Sequence, residues 1–354
     1  MHQIITKTHK VELGSLLESS FLELLTSPSY AEKKKMIIVD ENTFELCVPY
    51  LLENYLVLKE AEIMVLPVGE ESKALDICTE VWGALTDYQF QRGDLIINLG
   101  GGVVTDMGGF IASVFKRGVD FVNIPTSLLA MVDASVGGKT GVNFGPFKNQ
   151  LGFFAMPLLT YCDDVFLETL EKKEILAGRA EMLKHGLIAD AEFFKELAVF
   201  EGETPSMELI IKAVQIKSDI VERDFKENGD RKKLNFGHTI GHAIEGFLVY
   251  NGTEVTHGEC VAWGMLVESL LSHTHAGLPQ KDWFFIEELI RHQYPTLPIA
   301  ETHFDALLDL MKQDKKNKSD KINFTLLKKI GEAEIDFELD MNEIRTALHD
   351  VFVS

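Results

Sequence analysis

The first half of the chain alternates short apolar runs with helix-like stretches. The runs are KKKMIIVD (33–40), AEIMVLPVG (61–69), GDLIINLGGG (93–102) and VDFVNIPTS (119–127). They lack the polar alternation of a half-exposed strand, and most end in Asp or Gly, as strands buried on both faces of a parallel sheet do. Residues 1–170 therefore read as an α/β domain, a parallel sheet with flanking helices. From about residue 168 the period changes to that of amphipathic helices, as in ETLEKKEILAGRAEMLKHGLIAD, SMELIIKAVQIKSDIVERDF and THGECVAWGMLVESLLSHTHAG. The third opens with Thr256 and Glu259 at capping-box spacing, which puts His257 in the first turn of a helix. Residues 171–354 thus read as a mainly α-helical domain, in which KINFTLLKKIGEAEIDFEL predicts a small hairpin before a closing helix.

Charge and cysteine usage narrow the function. With 34 Lys and Arg against 55 Asp and Glu, the formal charge of -21 opposes nucleic-acid phosphates and anionic lipid. No signal-peptide core opens the chain and no run of about 18 apolar residues interrupts it, so a cytoplasmic protein is expected. Cys47, Cys78, Cys162 and Cys260 stand far apart with no CxxC pair, so any metal must be held by His and carboxylate.

Two regions carry candidate chemistry. In DLIINLGGGVVTDMGGFIA, Gly100 to Gly102 fall where a strand hands over to a helix, a place where backbone amides can hold a phosphate. The spacing is not GxGxxG, so this cluster alone reads equally as a tight turn. Nearby strand ends add Glu70, Lys73, Thr126, Asp133, Lys139, Lys148 and Asn149, consistent with ligand binding at the carboxyl ends of an α/β sheet. The second region is LNFGHTIGHAIE (234–245), which stacks His238 and His242 one helical turn apart. With Glu181, His185, Glu245, His257 and Glu259 the potential ligands outnumber the three a catalytic zinc site takes, and spacing does not choose among them. The missing glutamate of HExxH disfavours a zinc peptidase.

Together, GGGVVTDMGGF, RGVDFVNIPTSLLAMVDASVGGKTGVN, AGRAEMLKHGLI, KSDIVERDFKENGDRKKLNFGHTIGHAIE, HGECVAWGM and DKKNKSDKINFTLL resemble the 3-dehydroquinate synthase family, in family order. The resemblance implies an NAD-binding first domain and a metal- and substrate-binding second domain. It implies a divalent metal, Zn2+ or Co2+, on Glu181, His238 and His257, with His242 left to handle protons or phosphate. NAD would contact Asp40, Glu70, Lys73, Gly101, Gly102, Val103, Asp106, Thr126, Ser127, Lys139, Lys148, Asn149 and the segment Phe166, Leu167, Glu168 and Thr169. Lys139, Lys184, Lys217, Arg231 and Lys315 would bind the anionic groups of the substrate, with Asp133 and Asn235 orienting it. Arg117 would reach a partner subunit's site, which implies a homodimer.

The reaction so implied converts 3-deoxy-D-arabino-heptulosonate 7-phosphate to 3-dehydroquinate and phosphate by oxidation, elimination, re-reduction and aldol closure. Departures from the family pattern stand at Ser127, Glu171, Lys172, Lys173 and Phe225, and none removes a metal ligand or an anion-binding Lys or Arg. The competing expectations are another sugar-phosphate cyclase and an NAD-dependent polyol dehydrogenase on the same scaffold.

Overall fold

The four apolar runs become neighbouring strands. The computed structural model describes residues 1–145, 147–313 and 321–353. Its strands are β1 (His2–Ile5), β2 (Lys10–Leu13), β3 (Lys35–Asp40), β4 (Glu62–Leu66), β5 (Leu95–Gly100), β6 (Asp120–Pro125), β7 (Lys139–Phe144), β8 (Phe147–Phe154), β9 (Thr160–Cys162), β10 (Lys321–Lys329) and β11 (Glu332–Asp340). One sheet has the order β1-β2-β9-β6-β5-β3-β4. Among the described residues only the β1–β2 pair in it is antiparallel. β7 pairs with β8 and β10 with β11 in separate hairpins.

The helices that position functional side chains are α1 (Glu41–Leu46), α2 (Gly102–Val114), α3 (Lys172–Ala189), α4 (Met207–Arg223), α5 (His238–Tyr250), α6 (His257–Leu271) and α7 (Met341–Phe352). α2 lies on the sheet, where Val104, Met107, Phe110 and Ile111 join Met36, Ile38 and Ile96 in one apolar cluster. Burying each of these larger side chains stabilises the fold by about 1.5–3 kcal/mol. α6 is buried on nearly every side and packs against α3, α5 and α7, as expected of a helix that is apolar all round.

The chain forms two compact units, Met1–Glu171 with Thr204–Glu222, and Lys172–Glu203 with Arg223–Ser354. The sequence reading kept everything after residue 170 together, but α4 belongs with the first unit. Long-range polar contacts hold it there: His9 Nε2 lies 2.9 Å from Ser218 Oγ, Lys217 Nζ lies 2.8 Å from Asp133 Oδ1, and the Lys7 amide donates to Glu222. The first unit is α/β and the second is rich in helix, the fold class read from the sequence. Among the described residues no helix is long and apolar enough to cross a membrane.

Candidate active site

In the first unit β5 ends at Gly100 and α2 starts at Gly102. A Cβ on Gly100 would lie 2.6 Å from the Val104 side chain, so the turn admits only glycine. Gly101, the N-cap, brings no side chain to the first turn, which leaves the opening amides of α2 as a ready anion site. β3 has β4 on one side and β5 on the other, so the strand order reverses between β3 and β5, where open α/β sheets bind ligands. The register pairs Ile38 with Asn98, which brings Asp40 level with Gly100. Asp40 also caps α1, its Oδ1 accepting from the Thr43 amide and hydroxyl at 2.8 Å each. The Thr126 amide donates to Gly100 O, and Ser127 stands beside Gly101.

A second polar group in the same unit centres on Lys73, which is buried. Its ammonium donates to Asp106 Oδ2 and Asn149 Oδ1, each at 2.6 Å. Asn149, with φ of 51°, donates its amide to Asn143 Oδ1, and Asn143 Nδ2 donates to Glu70 Oε1 at 2.9 Å. Glu70, Lys73, Asp106 and Asn149 are thus linked in one hydrogen-bonded chain through Asn143. Asn143, on β7, completes it without any local sequence signal. Lys139 and Lys148 are exposed on the β7–β8 hairpin. Phe166 and Leu167 are buried in the short turn before Glu168 and Thr169, and the Phe166 ring packs edge-on against Tyr50. Lys217 is buried on Asp133, bonding both its carboxylate and its carbonyl. Arg117 is exposed and follows Lys116 in left-handed backbone, with φ of 66° and 50°. The strained bend is held by Arg92 Nε, which donates to Lys116 O at 2.6 Å.

In the second unit Glu181 on α3, His238 on α5 and His257 on α6 converge. Glu181 Oε1 lies 3.4 Å from His238 Nε2 and 3.6 Å from His257 Nε2. A tetrahedral site with bonds of about 2.0–2.1 Å separates its ligand atoms by roughly 3.3–3.5 Å, close to the two separations between Glu181 and the imidazole nitrogens. The other ring nitrogens are anchored: His238 Nδ1 lies 3.2 Å from Phe236 O, and His257 Nδ1 lies 3.0 Å from Glu245 Oε2. If both Nδ1 atoms carry the proton, both Nε2 lone pairs face Glu181. His242 is exposed and its ring stands edge-on to His238 at 5.1 Å, close enough that the three imidazoles also make a nitrogen-only trio. Lys184, as deeply buried as Glu181, pairs with the carboxylate's other oxygen. Burial depresses the His257 imidazolium, but the Glu181 and Glu245 carboxylates overturn this and raise its pKa to about 10. Burial and the Lys184 ammonium hold His238 below the usual range.

The approach of the helices depends on glycine. A Cβ at Gly258, next to His257, would come within 2.3 Å of the Ala177 backbone on α3, one turn before Glu181. Gly258→Ala is therefore expected to push α6 off α3, destabilise by about 1–3 kcal/mol and weaken metal retention. Denaturant unfolding and metal content of the purified variant test this; wild-type values in both would show that the contact relaxes freely.

The start of α5 is capped from within. Gly237 takes φ of 81° and has no side chain to cap the helix, and Glu268 of α6 supplies a carboxylate instead. It accepts from the Gly237 amide at 2.6 Å and the Ile240 amide at 3.2 Å. Burial pushes the Glu268 carboxyl up to about 8, against the lowering effect of those amides. A raised acid pKa means the folded state binds the proton more tightly than the unfolded one. Stability from this group is complete below the ordinary carboxyl value of about 4.5 and is lost as pH rises through about 8. Thermal melts of Glu268→Gln between pH 5 and 8 should be flatter than those of the wild type; parallel curves would count against the shift.

Arg231 is buried, with Nη1 donating to Phe225 O at 2.7 Å, and Asp224 orders its loop by accepting from the amides of Asn228, Gly229 and Arg231. Asn235 Nδ2 donates to Glu227 Oε1 at 2.8 Å, a partner on the same loop that the sequence reading missed. Lys315 lies outside the described residues.

The family description 3-dehydroquinate synthase N-terminal matches residues 63–177, and 3-dehydroquinate synthase C-terminal matches residues 178–317. The chain belongs to the 3-dehydroquinate synthase family. It is 41% identical to the 3-dehydroquinate synthase of Parabacteroides distasonis over 96% of either protein. Against that of Clostridium acetobutylicum it is 37% identical, over 93% of this chain and 96% of the other. A solved structure of 2-epi-5-epi-valiolone synthase from Streptomyces hygroscopicus subsp. jinggangensis, with NAD+ and Zn2+ bound, matches with a TM-score of 0.85 and 27% identity, covering 99% of this chain and 98% of that one.

Proposed function

We propose that the chain is a phosphate-eliminating cyclase, a carbon–oxygen lyase of the shikimate pathway acting in the cytoplasm. It converts 3-deoxy-D-arabino-heptulosonate 7-phosphate to 3-dehydroquinate and inorganic phosphate with NAD and a divalent metal, Zn2+ or Co2+. The observation that carries this reading is Glu181 Oε1 within 3.4 and 3.6 Å of two imidazole nitrogens, in a chain 41% identical to a 3-dehydroquinate synthase. When bound, NAD supplies a reversible hydride acceptor and the metal supplies Lewis acidity.

The chain's own residues divide the remaining work. The α2 amides at Gly102 and Val103 receive the pyrophosphate, and Asp40 offers its second carboxylate oxygen to a ribose hydroxyl. Lys73, held by Asp106 and Asn149, fixes the cofactor-side hydrogen bonds together with Glu70. Glu181, His238 and His257 hold the metal. His242, exposed and close to them, moves a proton at a ring nitrogen. Lys139, Lys184, Lys217, Arg231 and Lys315 bind the substrate's phosphate and carboxylate, while Asp133 and Asn235 orient its hydroxyls. Pairing a buried guanidinium with several lysines suits a substrate bearing two anionic groups, where a sugar phosphate without a carboxylate has less use for the arginine fork. Arg117, projected by its left-handed bend, reaches the partner's site in a homodimer.

The deciding assay follows phosphate release from the heptulosonate phosphate with NAD. Phosphate is expected without lasting NADH absorbance, and chelator should stop it. Accumulating NADH without phosphate would identify a polyol dehydrogenase, and release only from sugar phosphates lacking a carboxylate would identify another cyclase.

A further inference from the structure

We infer that Glu245 is a positioning residue for the metal centre, fixing the tautomer and the donor strength of His257. The inference rests on the metal reading of Glu181, His238 and His257. Residues 238, 242 and 245 are spaced i, i+4 and i+7 on α5, so they share one face of that helix. Glu245 is only 7% exposed, and a carboxylate so placed is costly unless its charge is met. Its Oε2 lies 3.0 Å from His257 Nδ1. His257 is the first residue of α6, set there by the Thr256–Glu259 capping box, but the box fixes only the backbone and leaves the ring free to turn about its last side-chain bond. The bond to Glu245 removes that freedom: with the proton on Nδ1, the Nε2 lone pair is the one that faces Glu181 Oε1.

The two imidazoles of the site are anchored differently. His238 Nδ1 meets a neutral acceptor, the Phe236 carbonyl, whereas His257 Nδ1 meets an anion. A carboxylate partner makes the imidazole a stronger donor, so His257 is the more basic ligand. Glu245 also sets a second carboxylate beside the centre, 3.0 Å from one of the proposed ligands.

The plainer reading is an ion pair that merely joins α5 to α6, and the test separates the two. Metal is stripped from the wild type, Glu245→Gln and Glu245→Ala, and Co2+ or Zn2+ affinity is measured by chelator competition beside the visible spectrum of the cobalt form. Gln keeps an acceptor oxygen at nearly unchanged shape while deleting the charge. Metal affinity is expected to fall about 10-fold in Glu245→Gln and up to about 100-fold in Glu245→Ala, with a shifted cobalt spectrum. Metal affinity and spectrum unchanged in both, with only the metal-free melting temperature lowered, would overturn the inference and leave a helix-joining pair. Should the wild type bind no cobalt, or His257→Ala bind it as the wild type does, the metal reading itself fails and this inference with it.

Discussion

His238→Ala is expected to lose its divalent metal, whereas His242→Ala should keep the metal and lose turnover. The two histidines sit one turn apart on α5 and their rings touch edge-on, so residue type and proximity do not separate them. Their surroundings do. His238 has one ring nitrogen anchored to Phe236 O and the other 3.4 Å from the Glu181 carboxylate. His242 is exposed, where a ring nitrogen can exchange a proton with a bound molecule. A nitrogen bound to metal cannot carry a proton, so one ring nitrogen cannot serve both roles. Removing a positioned acid–base group costs roughly 100- to 10,000-fold in turnover. Metal analysis of the two purified variants, with single-turnover phosphate release from metal-loaded protein, decides the matter. Equal metal loss in both would mean that the three imidazoles bind the cation together.

The asymmetry between these histidines shows where the sequence was legible. The strands around 33–40, 61–69, 93–102 and 119–127 were readable because burial on both faces leaves an uninterrupted apolar run, and all four formed. The capping box at Thr256 and Glu259 and the hairpin closed by α7 were readable because their signals are local. What escaped was long-range. Nothing near residue 217 announces that α4 crosses back to the first unit, since its anchors, His9 and Asp133, are 209 and 84 residues from their partners. Asn143 joins the Lys73 network through Glu70, 73 residues earlier, and Glu268 caps a helix whose N-cap, Gly237, lies 31 residues before it. The glycine before each histidine was visible but unexplained. Gly237 supplies a left-handed N-cap, and Gly241 lies against the backbone of α6, where a Cβ would meet Cys260 O at 3.0 Å.

Lys184→Met should be strongly destabilised when metal-free and largely restored by metal. Glu181 and Lys184 are each only 1% exposed and pair directly, so deleting the ammonium leaves a buried carboxylate short of a counter-charge. Breaking such a pair costs about 3–5 kcal/mol, with methionine filling most of the vacated volume. The His257 imidazolium, already drawn toward Glu181, offsets part of that cost and favours the lower end. A loss of this size lowers the melting temperature of the metal-free protein by on the order of 10 °C. A divalent cation held by Glu181 supplies the missing positive charge, so the metal-loaded variant should melt much closer to the loaded wild type. Because a ligand that binds only the folded state stabilises it by mass action, the comparison is made at the same saturating metal for both proteins. The diagnostic quantity is the gain on adding metal, which should be larger in Lys184→Met than in the wild type. An equal deficit with and without metal would place the Lys184 contribution in packing alone and remove Glu181 from the cation's neighbourhood.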